Sequence, residues 1–261
     1  MDNRKISYDV IIGHYSSDEY RHRNLIYVIN YYLKQTPDTT NIIITEQFTD
    51  TPIYQYIESV QSNRIIYKKI DSNQPAYSRS IGFNEGVRLS NKDTWLLVDN
   101  DCIVSPIILN NIEQFYMGNA LIPYNDCIDL DNEQTLFTIE NNNINGGTSR
   151  GGENACRGGS LFINRLTFNR VGGYDPGFIG WGGEDDALFC KLYVLSKVYR
   201  PRIDRVIPMF HMWHPRSVDM NWINGEIYQN NLALLNYIKK MSASEMTNYV
   251  NSITSNQLSK T

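Results

Sequence analysis

Short apolar runs alternate with helical patterns through residues 8–98, and this alternation constrains the fold more than any other feature. Four runs have the length of strands: YDVIIG (8–13), NIIIT (41–45), RIIYKK (64–69) and TWLLV (94–98). Helical patterns lie between them, at residues 25–33, 52–60 and 76–90. Continuous apolar strands separated by helices are typical of a parallel sheet that is covered on both faces. We therefore predict an α/β fold with a mainly parallel central sheet flanked by helices.

The second half of the chain is less regular. Residues 131–159 are rich in Asn and Gly, and we expect them to be disordered or to form a functional lid. A strand at SLFIN (160–164), a short helix at RLTFNRV (165–171) and a late strand at RVIPMF (205–210) follow. A polar tail that begins near Trp222 is predicted to be helical. The chain has no internal repeat and no clear domain linker.

The charge balance and the cysteines limit the partners and the compartment. Lys and Arg number 24 against 28 Asp and Glu, which gives a formal charge of −4 and argues against nucleic acid. No stretch approaches the roughly 20 apolar residues of a membrane span, and from the first residues we expect no signal peptide. We expect a cytoplasmic protein with no transmembrane segment. The scattered cysteines are predicted to be free thiols rather than disulfides or zinc ligands: Cys102, Cys127, Cys156 and Cys190.

The run WLLVDNDCIV ends a predicted strand with Asp99 and Asp101, one residue apart. Ligands of open α/β sheets bind at the carboxyl ends of the strands. Two carboxylates at such a place can hold a divalent cation and its phosphate-bearing ligand, because hard cations prefer oxygen. A solvated turn with Asp and Asn caps would show the same letters, so this pattern alone leaves both interpretations open.

The run FHMWHPRS places His211 and His214 three positions apart, just after the late strand. Imidazoles beside carboxylates can complete the shell of Mn²⁺ or a similar borderline ion. The alternative is one structural histidine in the core and one at the surface. Taken by themselves, the two histidines favour that alternative.

The run GWGGEDDALFCKLY begins at Gly180 and places an aromatic ring and glycines before an acidic helix start. Glycines let the backbone approach a ligand closely. Trp181 offers a flat apolar face to a sugar ring, and carboxylates accept hydrogen bonds from its hydroxyls. A helix with an acidic first turn would explain the carboxylates, since the helix dipole favours them there. It does not explain the Trp and the glycines, so the pattern predicts a sugar-binding site.

In this order the three motifs resemble those of the GT-A glycosyltransferases. The β-1,4-galactosyltransferase group and bacterial chondroitin-polymerase-type family 2 enzymes are the most similar. Matching pieces run from DVIIGHYSSDEYRHRNL to HMWHPRS, and GGYDPGFIGWGGEDDALFCKL is the most specific of them. The resemblance implies one GT-A domain over residues 1–261. It divides the domain into a nucleotide-binding half (1–105) that ends in the DxD motif, an acceptor and metal half (106–220) and a C-terminal helical tail (221–261).

The same resemblance assigns residues to the donor and the metal. Asp99 and Asp101 match the DxD motif, of which the first residue contacts the nucleotide and the second the metal. The implied cofactor is Mn²⁺ or Mg²⁺, and its implied ligands are Asp101, Asp99, His211 and His214. His211 stands where galactosyltransferases often have a methionine. The residues implied to contact the UDP-sugar are Asp99, Arg79, His14, Tyr15, Gly158, Gly159 and Cys156.

Asp185 matches the catalytic base, and the implied acceptor-site residues are Trp181, Gly182, Gly183, Glu184 and Asp186. The second acid of GGEDD favours inversion, since the retaining polypeptide N-acetylgalactosaminyltransferases typically read GGEN at this point. Cys156 is smaller than the residue of some relatives, which implies room for an N-acetyl group on the donor.

These implications amount to a metal-dependent, inverting transferase. It would move a hexose or N-acetylhexosamine (Gal, GalNAc or GlcNAc) from a UDP-sugar to a sugar hydroxyl of an oligosaccharide or glycoconjugate. The alternatives are a nucleotidyltransferase that makes sugar nucleotides, a retaining N-acetylgalactosaminyltransferase and a non-catalytic sugar-binding relative. The run IIGHYSSDEY lacks the Gly-rich, basic phosphate loop that is usual in nucleotidyltransferases.

Overall fold

The computed structural model describes residues 5–15, 18–47, 53–71, 76–152, 156–202, 205–215 and 225–258. The strands are β1 (Asp9–His14), β2 (Ile42–Glu46), β3 (Ile65–Lys69), β4 (Thr94–Asp99), β5 (Cys102–Val104), β6 (Ala120–Leu121), β7 (Asp126–Asp129), β8 (Thr148–Ser149), β9 (Ser160–Asn164), β10 (Val198–Tyr199) and β11 (Pro208–His211). The helices are α1 (Glu19–Gln35), α2 (Tyr54–Val60), α3 (Arg79–Leu89), α4 (Pro106–Leu109), α5 (Ile112–Phe115), α6 (Asn132–Asn141), α7 (Arg165–Arg170), α8 (Glu184–Leu195), α9 (Glu226–Lys239) and α10 (Ala243–Leu258).

A seven-stranded sheet forms the centre of the fold, in the order β10-β6-β9-β4-β1-β2-β3. Strand β1 pairs in parallel with β2 and with β4, whereas β9 runs antiparallel to both β4 and β6. All residues of β1 and β2 are buried, as expected for apolar strands covered on both faces. The predicted α/β fold with a mainly parallel central sheet is confirmed. The antiparallel β9 is the exception to the parallel arrangement.

Helix α3 packs unusually close to this sheet because glycines face it. A Cβ atom on Gly86 would lie 2.2 Å from Cγ2 of Ile11 on β1. The Thr45 hydroxyl of β2 donates a hydrogen bond of 3.0 Å to the Gly82 carbonyl. Packing therefore leaves no room for a side chain at Gly86 unless Ile11 shifts, and a Cβ atom on Gly82 would lie within a tight 3.3 Å of Thr45 Oγ1. The contact fixes the start of α3, where Arg79 lies, beside the end of β4.

A second, four-stranded sheet has the order β5-β11-β7-β8 and was not foreseen from the sequence. Its strands are two to four residues long, too short for a clear periodic pattern. Strand β11 pairs antiparallel with β5 and parallel with β7. In this register His211 is paired with Cys102 on one side and with Asp129 on the other. The small sheet thus joins the chain just after the DxD motif to the histidine segment.

Disorder, one of the two alternatives expected for residues 131–159, is wrong for the first part of that range, where Asn132–Asn141 form helix α6. The Asp131 carboxylate accepts a hydrogen bond from the Gln134 backbone N–H, and the Gln134 side chain accepts one from the Asp131 N–H. This capping box starts the helix. Its buried positions are occupied by Thr135 and Thr138, so an apolar periodicity does not reveal it.

The C-terminal helices pack on α8, which carries the acidic motif. Phe178, Ala187, Leu235, Ile238 and Met246 form a separate buried cluster there. Trp222, the expected start of the tail, lies outside the described residues, and α9 begins at Glu226. Among the described residues, none of the helices combines the length and apolar character needed to cross a bilayer.

Candidate active site

Arg79 joins the ends of three chain segments that are far apart in sequence. Its Nε donates a hydrogen bond of 2.6 Å to Asp99 at the end of β4, and its Nη1 donates one to Asp185 on α8. Nη1 also lies 3.8 Å from the Glu184 carboxylate. The guanidinium packs beside two aromatic rings that are stacked on each other, with its central carbon 4.8 Å from the Phe83 ring and 5.5 Å from the Tyr174 ring. One cation therefore offsets the repulsion among three carboxylates.

Asp101 lies in a cluster with both histidines. Its Oδ2 is 3.2 Å from His214 Nε2 and its Oδ1 is 3.8 Å from His211 Nε2. The ligand atoms of these residues lie within 4.8 Å of one another, and Asp99 and Asp101 form a second such group with Cys102. Carboxylate oxygens with imidazole nitrogens fit Mn²⁺ or a similar borderline cation. Asp99 joins this cluster to Arg79.

Each histidine is oriented through its other ring nitrogen. His211 Nδ1 is 3.0 Å from an oxygen of Asp129, and His214 Nδ1 is 3.0 Å from the Pro215 carbonyl. A ring that donates from Nδ1 leaves Nε2 with a lone pair for a metal. The sequence motifs did not indicate Asp129, because its role depends on the pairing of β7 with β11.

Helix α8, which carries the acidic residues, follows a loop in which glycines adopt the left-handed backbone conformation. Gly182 has φ +107° and Gly183, the residue before the helix, has φ +94°. A Cβ atom on Gly182 would lie 2.8 Å from the Tyr228 ring of α9. Trp181 is 65% exposed, and its ring is stacked on that of Tyr228 with centroids 6.1 Å apart. The loop thus presents a flat aromatic surface beside the carboxylates. Tyr228 lies outside every motif that the sequence singled out.

Two further glycines make room beside Asp185 and the metal cluster. A Cβ atom on Gly158 would lie 2.2 Å from Asp185 Oδ2. Gly159 has φ +89°, and a Cβ atom there would lie 2.4 Å from Met209 Cε. The Gly159 carbonyl accepts a hydrogen bond of 2.9 Å from the Asp99 backbone N–H. These contacts hold the chain after Cys156 against the end of β4.

A pocket of about 580 Å³ opens between these groups, within the range typical of ligand sites. Its lining includes many of the predicted residues: Asp99, Cys156, Gly158, Gly159, Trp181, Gly182, Gly183, Glu184, Asp185, Asp186 and His211. Arg150 and Arg157 also line it and were not predicted. Their positive charge suits a phosphate-bearing ligand.

Several predicted residues lie behind the pocket lining. Arg79 is not part of the lining but pairs with Asp99 and Asp185, which are. Asp101 and His214 are also outside the lining, and Asp101 lies beside the lining residue His211. His14 is fully buried, and its Nδ1 is 2.7 Å from the side-chain amide of Asn100, inside the DxD motif. Tyr15 is half-buried and stacks on Tyr77 with centroids 5.7 Å apart. The geometry of His14 is that of a support for the DxD turn rather than of a group that faces a ligand.

Burial and neighbouring charges give the carboxylates of the site different pKa values. Burial and the charge of Asp185 raise the pKa of Glu184 to about 7, against the effect of Arg79. Burial, with the charges of Asp101 and Asp185, also raises the pKa of Asp99 to about 7. Burial acts on Asp101 as well, but His211 and His214 hold the pKa of Asp101 well below its ordinary value. Asp101 therefore stays ionised, as a metal ligand must be.

Comparison with known proteins gives a family match over part of the chain. Residues 148–214 match the family model described as the N-terminal domain of galactosyltransferase. This range contains the glycine segment, the acidic helix start and both histidines. No curated protein matches the chain in sequence.

Similar solved structures cover most of the chain. GalNAc-T7 with UDP, GalNAc and Mn²⁺ has a TM-score of 0.59 and 14% identity over 90% of this chain, which spans 48% of that protein's chain. The mannosyltransferase PcManGT of Pyrobaculum calidifontis, with GDP-Man and Mn²⁺, has a TM-score of 0.59 and 12% identity over 97% of this chain and 70% of its own. S. aureus TarS 1–349 with UDP-GlcNAc has a TM-score of 0.59 and 12% identity over 97% of this chain and 72% of its own.

At these identities the structural likeness establishes the fold, and the family match adds the sequence pattern of the site. The chain has the fold of the GT-A glycosyltransferases and resembles the galactosyltransferase family over residues 148–214.

Proposed function

We propose that the chain is a metal-dependent, inverting glycosyltransferase. It transfers a hexose or N-acetylhexosamine (Gal, GalNAc or GlcNAc) from a UDP-sugar to a sugar hydroxyl of an oligosaccharide or glycoconjugate. The observation that carries the proposal is that one pocket has His211 and Asp99 of the metal cluster among its lining residues, together with Asp185 and the exposed Trp181. A donor and an acceptor held in this pocket would have their reacting atoms between the metal and a carboxylate.

The donor would bind on the metal side of the pocket. Asp101, His211 and His214, with Asp99, would hold Mn²⁺ or Mg²⁺, which supplies a Lewis acid for the charge that develops on departing UDP. The mannosyltransferase and GalNAc-T7 crystals contain Mn²⁺ with a sugar nucleotide or a nucleotide, which supports this choice. We assign residues 1–105 to nucleotide binding, 106–220 to the acceptor and metal, and 221–261 to a helical tail.

Asp185 would act as the base. The hydrogen bonds that other described residues donate to it go to Oδ1, from Arg79 and, at 3.3 Å, from the Tyr174 hydroxyl. They hold the carboxylate while Oδ2 faces the space beside Gly158. Oδ2 would accept the proton of the acceptor hydroxyl as that oxygen forms its bond to the anomeric carbon. The bond from this carbon to the UDP oxygen breaks on the opposite face, so the configuration inverts.

The acceptor would lie on Trp181, whose exposed ring suits the apolar face of a sugar. Gly182 and Gly183 also line the pocket, and Glu184 and Asp186 line it as hydrogen-bond acceptors for the sugar hydroxyls. On the donor side, the small side chain of Cys156 would leave room for an N-acetyl group. A clear preference for UDP-Gal over UDP-GalNAc and UDP-GlcNAc would contradict this last assignment.

The test is a donor screen with Mn²⁺, in which release of the nucleotide is followed with UDP-Gal, UDP-GalNAc, UDP-GlcNAc and GDP-mannose. Each donor is offered with and without acceptors that end in GlcNAc, glucuronate or galactose. We expect release of UDP that depends on Mn²⁺ and increases with an acceptor, and a product of inverted configuration by NMR. Pyrophosphate release from UTP and a sugar phosphate would favour a nucleotidyltransferase. A retained configuration would contradict inversion, and binding without turnover of any donor would favour a non-catalytic protein.

A further inference from the structure

Asp129 lies behind His211, on the side of the ring that faces away from Asp101. We propose that Asp129 is a positioning residue for the metal centre: it orients His211 and increases its strength as a ligand, and Arg150 holds it in place. The inference rests on the metal site of the proposed function. It concerns a residue that none of the sequence motifs contains.

The backbone places Asp129 and His211 side by side. Strands β7 and β11 are parallel neighbours, and these two residues are directly paired in their register. The Leu130 N–H donates a hydrogen bond of 2.9 Å to the His211 carbonyl, which fixes that register at the strand ends. The approach of the two side chains therefore follows from the sheet and does not depend on a mobile loop.

The hydrogen bond between them determines which nitrogen of His211 is available. Nδ1 is 3.0 Å from Asp129 Oδ1, while Nε2 points towards Asp101 Oδ1 at 3.8 Å. A neutral imidazole carries one N–H, and a carboxylate can only accept, so the proton lies on Nδ1. Nε2 then keeps its lone pair on the side of Asp101, with which it would hold the metal. The negative charge behind the ring also increases the electron density that Nε2 offers.

Arg150 immobilises Asp129 in this role. Its Nε donates a hydrogen bond of 2.7 Å to Oδ2, and its Nη2 donates one of 2.5 Å to Oδ1. A bidentate pair of this kind fixes the plane of the carboxylate. Arg150 follows β8, the edge strand paired with β7, and its own N–H donates to the Cys127 carbonyl at 2.9 Å. Arg150, which lines the pocket, thus also holds Asp129 in place behind the proposed metal ligand His211.

His214 provides the contrast, since its Nδ1 bonds to a backbone carbonyl, that of Pro215. A change at Asp129 should therefore act on His211 and leave His214 in place. This difference between the two histidines makes the role of Asp129 separable from a general effect on the site.

The test measures Mn²⁺ affinity by calorimetry, without donor or acceptor, for the wild type, Asp129→Ala, His211→Ala and the double variant. We expect Asp129→Ala to weaken Mn²⁺ binding about 10- to 100-fold, the usual cost of losing such a partner. In the His211→Ala background the same change should cost less than about 3-fold, because the ring through which Asp129 acts is gone. An equal loss in both backgrounds would contradict the inference.

Asp129→Asn serves as the conservative variant, because it keeps an oxygen for the imidazole N–H and removes the charge. We expect its Mn²⁺ affinity to lie between those of the wild type and Asp129→Ala. It also keeps the test decisive if Asp129→Ala does not fold by circular dichroism: wild-type affinity in Asp129→Asn would then overturn the inference. Asp131→Asn is the matched control, since it removes a nearby carboxylate and keeps a good helix cap. It should bind Mn²⁺ as the wild type does.

The outcomes distinguish this inference from the proposed function. If His211→Ala and Asp101→Ala weaken Mn²⁺ binding but Asp129→Ala does not, the metal site stands and the role of Asp129 falls. If Mn²⁺ binds His211→Ala and Asp101→Ala as tightly as the wild type, the metal site of the proposed function itself is wrong.

Discussion

At the scale of single residues, Arg79 determines how the carboxylates share one pocket. It pairs with Asp99 and Asp185 and lies near Glu184, while the stacked rings of Phe83 and Tyr174 pack beside it. These three carboxylates would repel one another, and the buried guanidinium reduces that cost. The acids and Arg79 could be identified from the sequence motifs that contain them. The contact between Arg79 and Asp185 could not, because the two residues are 106 positions apart in the chain.

The raised pKa of Glu184 predicts that the stability of the folded chain decreases as the pH rises and Glu184 becomes charged. Its pKa is about 7 in the folded chain against an ordinary value of 4.5, so folding favours the protonated form. The stabilisation is fully present below the ordinary value and is lost as the pH rises through about 7. Glu184→Gln keeps a neutral side chain at every pH. We therefore expect its melting temperature, relative to the wild type, to rise between pH 5 and pH 8 in the presence of a chelator. A difference that stays constant over this range would contradict the assignment.

At the scale of elements, the site is made where strands end and helices begin. The long apolar strands β1, β2 and β4 and the strand β9 were predicted close to their observed positions, because their runs are apolar and bounded by polar residues. Strands β5, β7 and β8 were not, since two to four residues carry no period. Asp129 was missed for the same reason: it is one acid of a short strand, and only the pairing with β11 gives it a neighbour.

The glycine segment before β9 predicts a specific effect on catalysis. A methyl group at Gly158 would overlap Asp185 Oδ2, a flexible carboxylate end that can move away. Gly158→Ala should therefore fold normally but displace the base, and a displacement of about 1 Å can cost about 100-fold in rate. We expect a loss of transfer of at least about 10-fold with little change in the affinity for UDP and Mn²⁺, measured by steady-state kinetics and calorimetry. Wild-type turnover in this variant would contradict the placement of Asp185.

At the scale of the whole molecule, two sheets meet at the metal cluster. The central sheet contributes Asp99 at the end of β4, and the small sheet contributes His211 at the end of β11. His214 lies two residues after Met212, and the backbone N–H of Met212 donates a hydrogen bond of 2.8 Å to the Asp101 carbonyl. The fold class could be predicted from the periodicity of the first half. The meeting of the sheets could not, because it depends on long-range pairings that no local pattern encodes.

This arrangement predicts that a divalent ion stabilises the entire fold, since its ligands come from both sheets. At a concentration about 100 times its dissociation constant, an ion that binds only the folded chain adds about 2.7 kcal/mol. For a chain of this size that corresponds to a rise of roughly 5–10 °C in melting temperature. We expect Mn²⁺ to give a larger shift than Mg²⁺ at equal concentration, because two of the proposed ligands are imidazoles. Asp101→Ala should abolish the shift, and an unchanged shift in that variant would count against the site.

The most direct test of the account is the Asp185→Asn variant, assayed for both binding and transfer. The substitution keeps the shape of the side chain and removes its ability to accept the acceptor's proton. We predict Mn²⁺-dependent UDP binding equal to that of the wild type by calorimetry, with transfer reduced by about 10²- to 10⁴-fold. Near-normal transfer by the folded variant would contradict the central claim that Asp185 is the base of a glycosyl transfer.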